Sequence, residues 1–217
     1  PLTLTDRQLI DDPVHIGICA AHRYPSVYAA FTEEIEVICR RVAQALGAGE
    51  GPLYVQLFIG ADGVLVNEAS CRIGGAFEDV FIPRVTGFDI LQAAVRAALG
   101  QPVDTAGLAN RRPADAKRQV SVQMLFCRPG VAVSVTPVSK LLSLPGVLTA
   151  GYNYPEGSVL PTAQNATARF GYCVLATERG DMPALVGNLY RTLAVTDADG
   201  GNLILPRTYD GDVYENR

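Results

Sequence analysis

The stretch Leu53–Gly75, LYVQLFIGADGVLVNEASCRIGG, sets two alternating apolar runs on either side of an Asp-Gly pair and ends in a polar segment and a Gly-Gly pair. Alternation flanking Asp-Gly is a short-range hairpin signal. With Ala61-Asp62-Gly63 as a three-residue loop, Gly63 takes a left-handed position without a Cβ penalty. The register then puts Gly60 opposite Val64 and Gln56 opposite Glu68. Side chains directly across an antiparallel pair share a face at roughly 5 Å, so two such oxygen donors can chelate one hard cation or a pair of them. A two-residue loop slips the register by one and separates Gln56 from Glu68. Beyond the turn, Glu68, Ser70 and Arg72 recur at every second position, which on an extended segment sends a carboxylate, a hydroxyl and a guanidinium to one side. A surface hairpin whose Gln56 and Glu68 simply face water has the same spacing.

The chain has 217 residues, 48% hydrophobic and 18% charged, which suits one large or two small folded domains. A net charge of −4 gives no electrostatic reason to expect nucleic acid or an anionic membrane. No apolar run approaches the roughly 20 residues of a membrane span, and no signal-peptide pattern opens the chain. Cys19, Cys39, Cys71, Cys127 and Cys173 are odd in number and widely spaced, which argues against a disulfide framework or zinc site and for a reducing cytoplasm. Histidine occurs only at His15 and His22, and lysine only at Lys117 and Lys140.

Around the hairpin, Val14–Ala20 reads as a strand and His22–Ser26 as a loop, Pro25 disfavouring helix just before it. A helix follows, from about Val27 or Thr32 to Leu46, with Phe31, Ile35, Ile38, Val42 and Leu46 as a buried stripe and Gly47 as its stop. After the hairpin a short helix or turn is expected over Phe77–Val85. A second over Phe88–Leu99 should turn Leu91, Ala94, Val95 and Ala98 inward. The second half is strand-rich. Gln119–Cys127 and Val131–Thr136 read as a hairpin about Arg128-Pro129-Gly130, followed by strands Val147–Tyr152 and Arg169–Thr177 and a helix capped by Asp181. Residues 1–105 and 118–208 are therefore expected as two domains joined by a linker at 106–117 that carries Arg111, Arg112 and Lys117, with a polar tail at 209–217.

Several motifs in fixed order resemble the ATP-grasp superfamily near its carboxylate–amine ligase and carbamoyl-phosphate-synthetase-like branches. They are Leu46-Gly47, Gly51-Pro52-Leu53-Tyr54-Val55-Gln56, Asp62-Gly63, Glu68-Ala69-Ser70-Cys71-Arg72, Gly74-Gly75 and Thr86-Gly87-Phe88-Asp89-Ile90. The resemblance runs from Leu46 to Ile90, 45 residues, and implies an α+β fold: an antiparallel sheet with packed helices, the C-terminal half of an ATP-grasp unit, plus a small β-rich C-terminal domain. It implies ATP and one or two Mg²⁺ ions, with Gln56 and Glu68 as ligands and Ser70 standing where the family usually has Asn. Arg72 would face the transferred phosphoryl group, and Gly74 and Gly75 would let the backbone approach substrate. The implied reaction activates a carboxylate as an acyl phosphate and joins it to an amine, so the partners are carboxylate and amine small molecules. The Lys-bearing lid, Gly-rich flap and adenine hinge of such a unit have no counterpart upstream of the hairpin. The chain is thus expected to be the C-terminal portion of a longer ligase, inactive without its N-terminal half or a partner chain; a homo-oligomer is compatible with it. A non-catalytic ATP-grasp-derived binding module is the alternative.

Five other residues carry secondary readings. His22 and Arg23 are expected as an exposed loop pair, and Cys71 as a packed thiol pointing away from Ser70 and Arg72. Glu78 and Asp79 fit helix-start acids, or groups that reach a substrate amine.

Overall fold

The computed structural model describes residues 1–10, 17–108, 118–178 and 181–209. The expectations for residues 14–16, Arg111, Arg112, Lys117 and the tail beyond Tyr209 lie outside them. Two compact units are present: Pro1–Asp6 with Pro25–Ala116, and Arg7–Tyr24 with Lys117–Arg217.

In the first unit, α1 (Thr32–Ala45) follows a single 3₁₀ turn at Ala29–Phe31. Its entry is tied down by Asp6, whose carboxylate accepts from the Ser26 hydroxyl and, at 3.0 Å, from the Val27 N–H. Acidic Glu33 and Glu34 in the first turn suit the helix dipole. Of the expected stripe only Ile35 is fully buried, and Leu46 is exposed. Strands β3 (Tyr54–Gly60) and β4 (Gly63–Ser70) form the hairpin, and α1 lies against β4. Helix α2 (Glu78–Thr86) ends at Gly87 in the left-handed region, whose N–H returns to the Pro83 carbonyl at 2.8 Å. Helix α3 (Ile90–Ala98) is capped by Asp89, which accepts from the Gln92 N–H at 2.8 Å.

The inward face of α3 differs from the sequence expectation. Ile90 is buried and Ala93, Ala94 and Ala97 are partly so, while Leu91, Val95 and Leu99 are at least half exposed. This helix is apolar on most sides, so its periodicity supports two stripes and cannot choose the one that meets α2.

The second unit is built on an antiparallel sheet. The strand order is β1 (Asp6–Leu9), β2 (Cys19–Tyr24), β5 (Gln119–Leu125), β10 (Gly171–Thr177), β8 (Val147–Tyr152). Because β2 pairs with β5, with His22 opposite Val122, the described residues 7–10 and 17–24 join the C-terminal unit and not the first domain expected at 1–105. Nor does Val131–Thr136 pair with Gln119–Cys127. It splits into β6 (Gly130–Val131), paired with β9 (Val159–Leu160), and β7 (Ser134–Val135), paired with β11 (Val195–Thr196). The short helix α4 (Val138–Leu142) precedes β8. Helix α5 (Met182–Thr192), capped by Asp181, buries Met182, Val186 and Leu189 in a core with Leu125, Cys173 and Leu175. Two buried polar residues of β5 are satisfied. Gln123 donates to Ser121 Oγ at 2.8 Å, and Tyr190 of α5 donates to Gln123 Oε1 at 3.2 Å. No helix among the described residues is long and apolar enough to cross a membrane.

Gly63 has φ +88° at the end of the hairpin turn. Alanine at this position is expected to cost about 1–2 kcal/mol, the left-handed penalty of an L-residue. Chemical denaturation of the Gly63→Ala variant measures it.

Candidate functional site

The hairpin register reaches the expected pairing by an unexpected route. Gly60 pairs with Gly63, Ile59 with Val64, Phe58 with Leu65 and Leu57 with Val66, so the loop has two residues and not three. Continued unchanged, that register would put Glu68 on the apolar face across from Val55. The ladder instead shifts between Leu57 and Gln56, leaving Asn67 as an extra residue on β4 and setting Gln56 opposite Glu68. Val55, Leu57, Ile59, Val64, Val66 and Ala69 thereby share one face, and the carboxylate stays off it. A signal for this was present in the sequence: the apolar positions 64 and 66 are followed by 69, an odd step that marks the bulge.

The opposite face gathers the polar side chains. Three cross-strand pairs line it: Tyr54 with Ser70, Gln56 with Glu68, and Phe58 with Leu65. Gln56 and Ser70 are partly buried and Glu68 is exposed. Phe58 and Leu65, 59% and 54% exposed, form an apolar step beside the polar pairs. Sequence reasoning singled out neither, although an aromatic residue two positions from a candidate ligand was a visible signal. The Tyr54 hydroxyl donates to Gln56 Oε1 at 3.4 Å.

Arg72 reaches this face by a turn and not by strand alternation. Strand β4 stops at Ser70, and the Arg72 N–H returns to the Ser70 carbonyl at 2.9 Å. Its guanidinium then lies over the Tyr54 ring, 5.7 Å from the centroid, and Nη1 donates to the Ile73 carbonyl at 2.9 Å. Cys71 on that turn is exposed, contrary to the packed thiol expected, because the chain has left the strand.

Gly74 packs between Glu78 and Tyr54, whereas Gly75 has open space where a Cβ would project. Phe77, at the entry of α2, has φ +60°, an outlier for a bulky residue. Glu78 stands in the first turn of α2, but its Oε2 turns back to accept from the Ala76 N–H at 2.8 Å. Burial raises the Glu78 carboxyl above the usual carboxylate range. Backbone N–H groups oppose that shift, Asp79 adds to it and Arg72 works against it.

His22, expected on a loop, is buried in β2 of the other unit. Burial, with Arg7 and Arg169 adding their charge, pushes its pKa down to about 3. It is therefore a neutral structural side chain at pH 7.

For metal binding, the hairpin face offers an amide oxygen, a carboxylate and a hydroxyl on neighbouring positions, all hard oxygen donors of the kind Mg²⁺ takes. Among the described residues no group of three or more His, Cys, Asp and Glu side chains could hold a metal ion.

The fold is the ATP-grasp fold, matched over about half the length of each solved structure. It superposes on phosphoribosylglycinamide synthetase from Anaerococcus prevotii with TM-score 0.73 and 12% identity, covering 90% of this chain and 49% of that one. L-amino acid ligase from Bacillus licheniformis gives TM-score 0.73 and 17% identity over 90% and 50% of the two chains. N5-carboxyaminoimidazole ribonucleotide synthetase from Thermus thermophilus gives 0.55 and 17% over 87% and 44%. The chain spans about half the length of the first two structures. No protein-family model and no curated protein matches it.

Proposed function

We infer that this chain is the C-terminal portion of an ATP-dependent ligase that activates a carboxylate as an acyl phosphate and joins it to an amine, and that it contributes the Mg²⁺ and phosphate face. The observation that carries this reading is one face holding Gln56 opposite Glu68, Ser70 beside them, and Arg72 folded back above Ser70's partner Tyr54. Gln56, Glu68 and Ser70 would hold Mg²⁺, which when bound neutralises phosphate charge. Arg72 supplies a fixed, forked cation for the phosphoryl oxygens in flight and for the acyl phosphate that results. The Phe58–Leu65 step offers an apolar surface on which a planar base can lie. Gly75, with nothing where a side chain would be, lets a substrate reach the backbone. The fold neighbours include a phosphoribosylglycinamide synthetase and an L-amino acid ligase, in keeping with this reaction class.

A second reading, a non-catalytic ATP-grasp-derived binding module, is favoured by one observation: Glu68 is the single carboxylate of the three oxygen residues. The test is reconstitution. Calorimetry should find Mg·ATP binding to the chain alone weak, and adding the upstream portion of the longer polypeptide should create ATP hydrolysis dependent on both a carboxylate and an amine. A complex that is folded and binds Mg·ATP yet turns over nothing supports the module reading and ends the ligase one.

A further inference from the structure

The Gly74 turn is gripped from both sides. A Cβ added to Gly74 would collide with Glu78 Oε1, lie 2.6 Å from Glu78 Cδ, and meet Tyr54 Cδ2 at 2.8 Å. These separations are shorter than any side-chain contact tolerates, so the turn admits only glycine unless one jaw moves. Neither jaw is loose. Glu78 is anchored by its Oε2 to the Ala76 N–H at 2.8 Å, two residues further along the same turn. Tyr54 projects from β3, directly across from Ser70.

The same Tyr54 ring meets the reactive residues. Arg72 lies over its face, 5.7 Å from the centroid, and its hydroxyl donates to Gln56 Oε1. An exposed arginine left to itself spreads over many rotamers. Here the ring supports the guanidinium, Gly74 lies against the ring, and Glu78 closes over Gly74. We propose that Tyr54 and Glu78 are positioning residues, a clamp on Gly74 that holds Arg72 and Gln56 in place for phosphoryl transfer. This deepens the ligase reading and rests on it for the chemistry, but the clamp itself is a statement about side-chain order. The hydroxyl bond to Gln56 is at the long limit of hydrogen bonding, 3.4 Å, so the ring carries more of the effect than the hydroxyl.

The clamp is tested on the 217-residue chain by the rate at which phenylglyoxal modifies Arg72, followed by peptide mass spectrometry. Exposed Arg96 of α3 is the internal reference. Tyr54→Leu and Gly74→Ala should speed modification of Arg72 about two- to fivefold, the population change that a cation–π contact at an exposed site sustains. The Arg96 rate should stay constant. Tyr54→Phe should keep the native rate. Glu78→Gln, which retains an acceptor for the Ala76 N–H, should also keep it, whereas Glu78→Ala should follow Tyr54→Leu. Native rates in both Tyr54→Leu and Gly74→Ala overturn the proposal. If Tyr54→Leu unfolds by circular dichroism, the Glu78 pair decides, and equal rates in Ala and Gln overturn it. In the reconstituted complex, Tyr54→Leu should lower kcat with KM for ATP unchanged; a loss confined to KM would also overturn it. The expected labelling pattern in a complex without turnover ends the ligase reading and leaves the clamp standing.

Discussion

Arg72→Ala should lower turnover of the proposed ligase, once reconstituted, by about a thousandfold or more, the range in which a single arginine stabilises phosphoryl-transfer charge. The guanidinium sits at an exposed position, resting on Tyr54 and on the Ile73 carbonyl. Its loss should therefore leave the circular dichroism and unfolding midpoint of the chain unchanged. Arg72→Lys should recover little, because an ammonium keeps the charge but loses the fork and the planar stack on the tyrosine. Glu68→Gln tests the facing position in the same assay. It should raise the Mg²⁺ concentration needed for half-maximal rate, since the hairpin face then holds three neutral oxygens. Steady-state kinetics with varied Mg²⁺ separates the two effects. Turnover that survives Arg72→Ala moves the chemistry elsewhere.

Acidification should destabilise the second unit steeply, and His22 should account for much of the slope. Its folded pKa of about 3 lies below its ordinary value of about 6.5 because burial disfavours the charged imidazole and Arg7 and Arg169 repel it. The unfolded chain therefore takes up a proton that the folded one refuses. The stabilising contribution is complete above about pH 6.5 and is lost as the pH falls through that value towards 3, at up to about 1.4 kcal/mol per pH unit. His22→Gln, which cannot take up that proton, should flatten this part of the stability curve even if it lowers the value at pH 7. Urea unfolding of both proteins at pH 7, 6 and 5 measures the difference. Parallel curves would show that His22 does not titrate on unfolding. Glu78 has the opposite sign: a carboxyl raised by burial contributes stability that is present below the usual carboxylate range and declines as the pH rises through its folded pKa.

The gap between sequence and structure at the hairpin has a specific cause. Asp62-Gly63 marked the turn, and alternation marked both strands, because those signals are local: a left-handed glycine and a pleat of period two. Loop length is a weaker signal, and the three-residue reading was wrong by one. The pairing of Gln56 with Glu68 survived because a bulge at Asn67 restored it. That bulge answers to the apolar face, which would otherwise have received Glu68. Arg72 shows the complement. Its side was expected from strand alternation, yet strand β4 ends at Ser70 and a backbone turn brings the guanidinium back.

Helix α3 and strand β2 mark where local reading stops. Periodicity cannot choose between two apolar stripes on one helix, so Leu91 and Val95, expected inward, are exposed. Nor can it report that strand β2 pairs with strand β5, a contact separated by about a hundred positions along the chain. His22 consequently looked like a loop residue when it is a buried strand residue.

By itself the sequence determined the hairpin, the helices α2 and α3, the capping of α5, and the oxygen and guanidinium groups that the face would carry. Each depends on residues within a few positions of one another. Tertiary structure alone decided that strands β1 and β2 belong with the C-terminal sheet and that a bulge delivers Glu68 to Gln56. It also decided that Tyr54 and Glu78 close on Gly74 beneath Arg72. These features depend on which surfaces are buried together and on how closely two side chains approach one Cα, and pattern along a chain does not encode a distance.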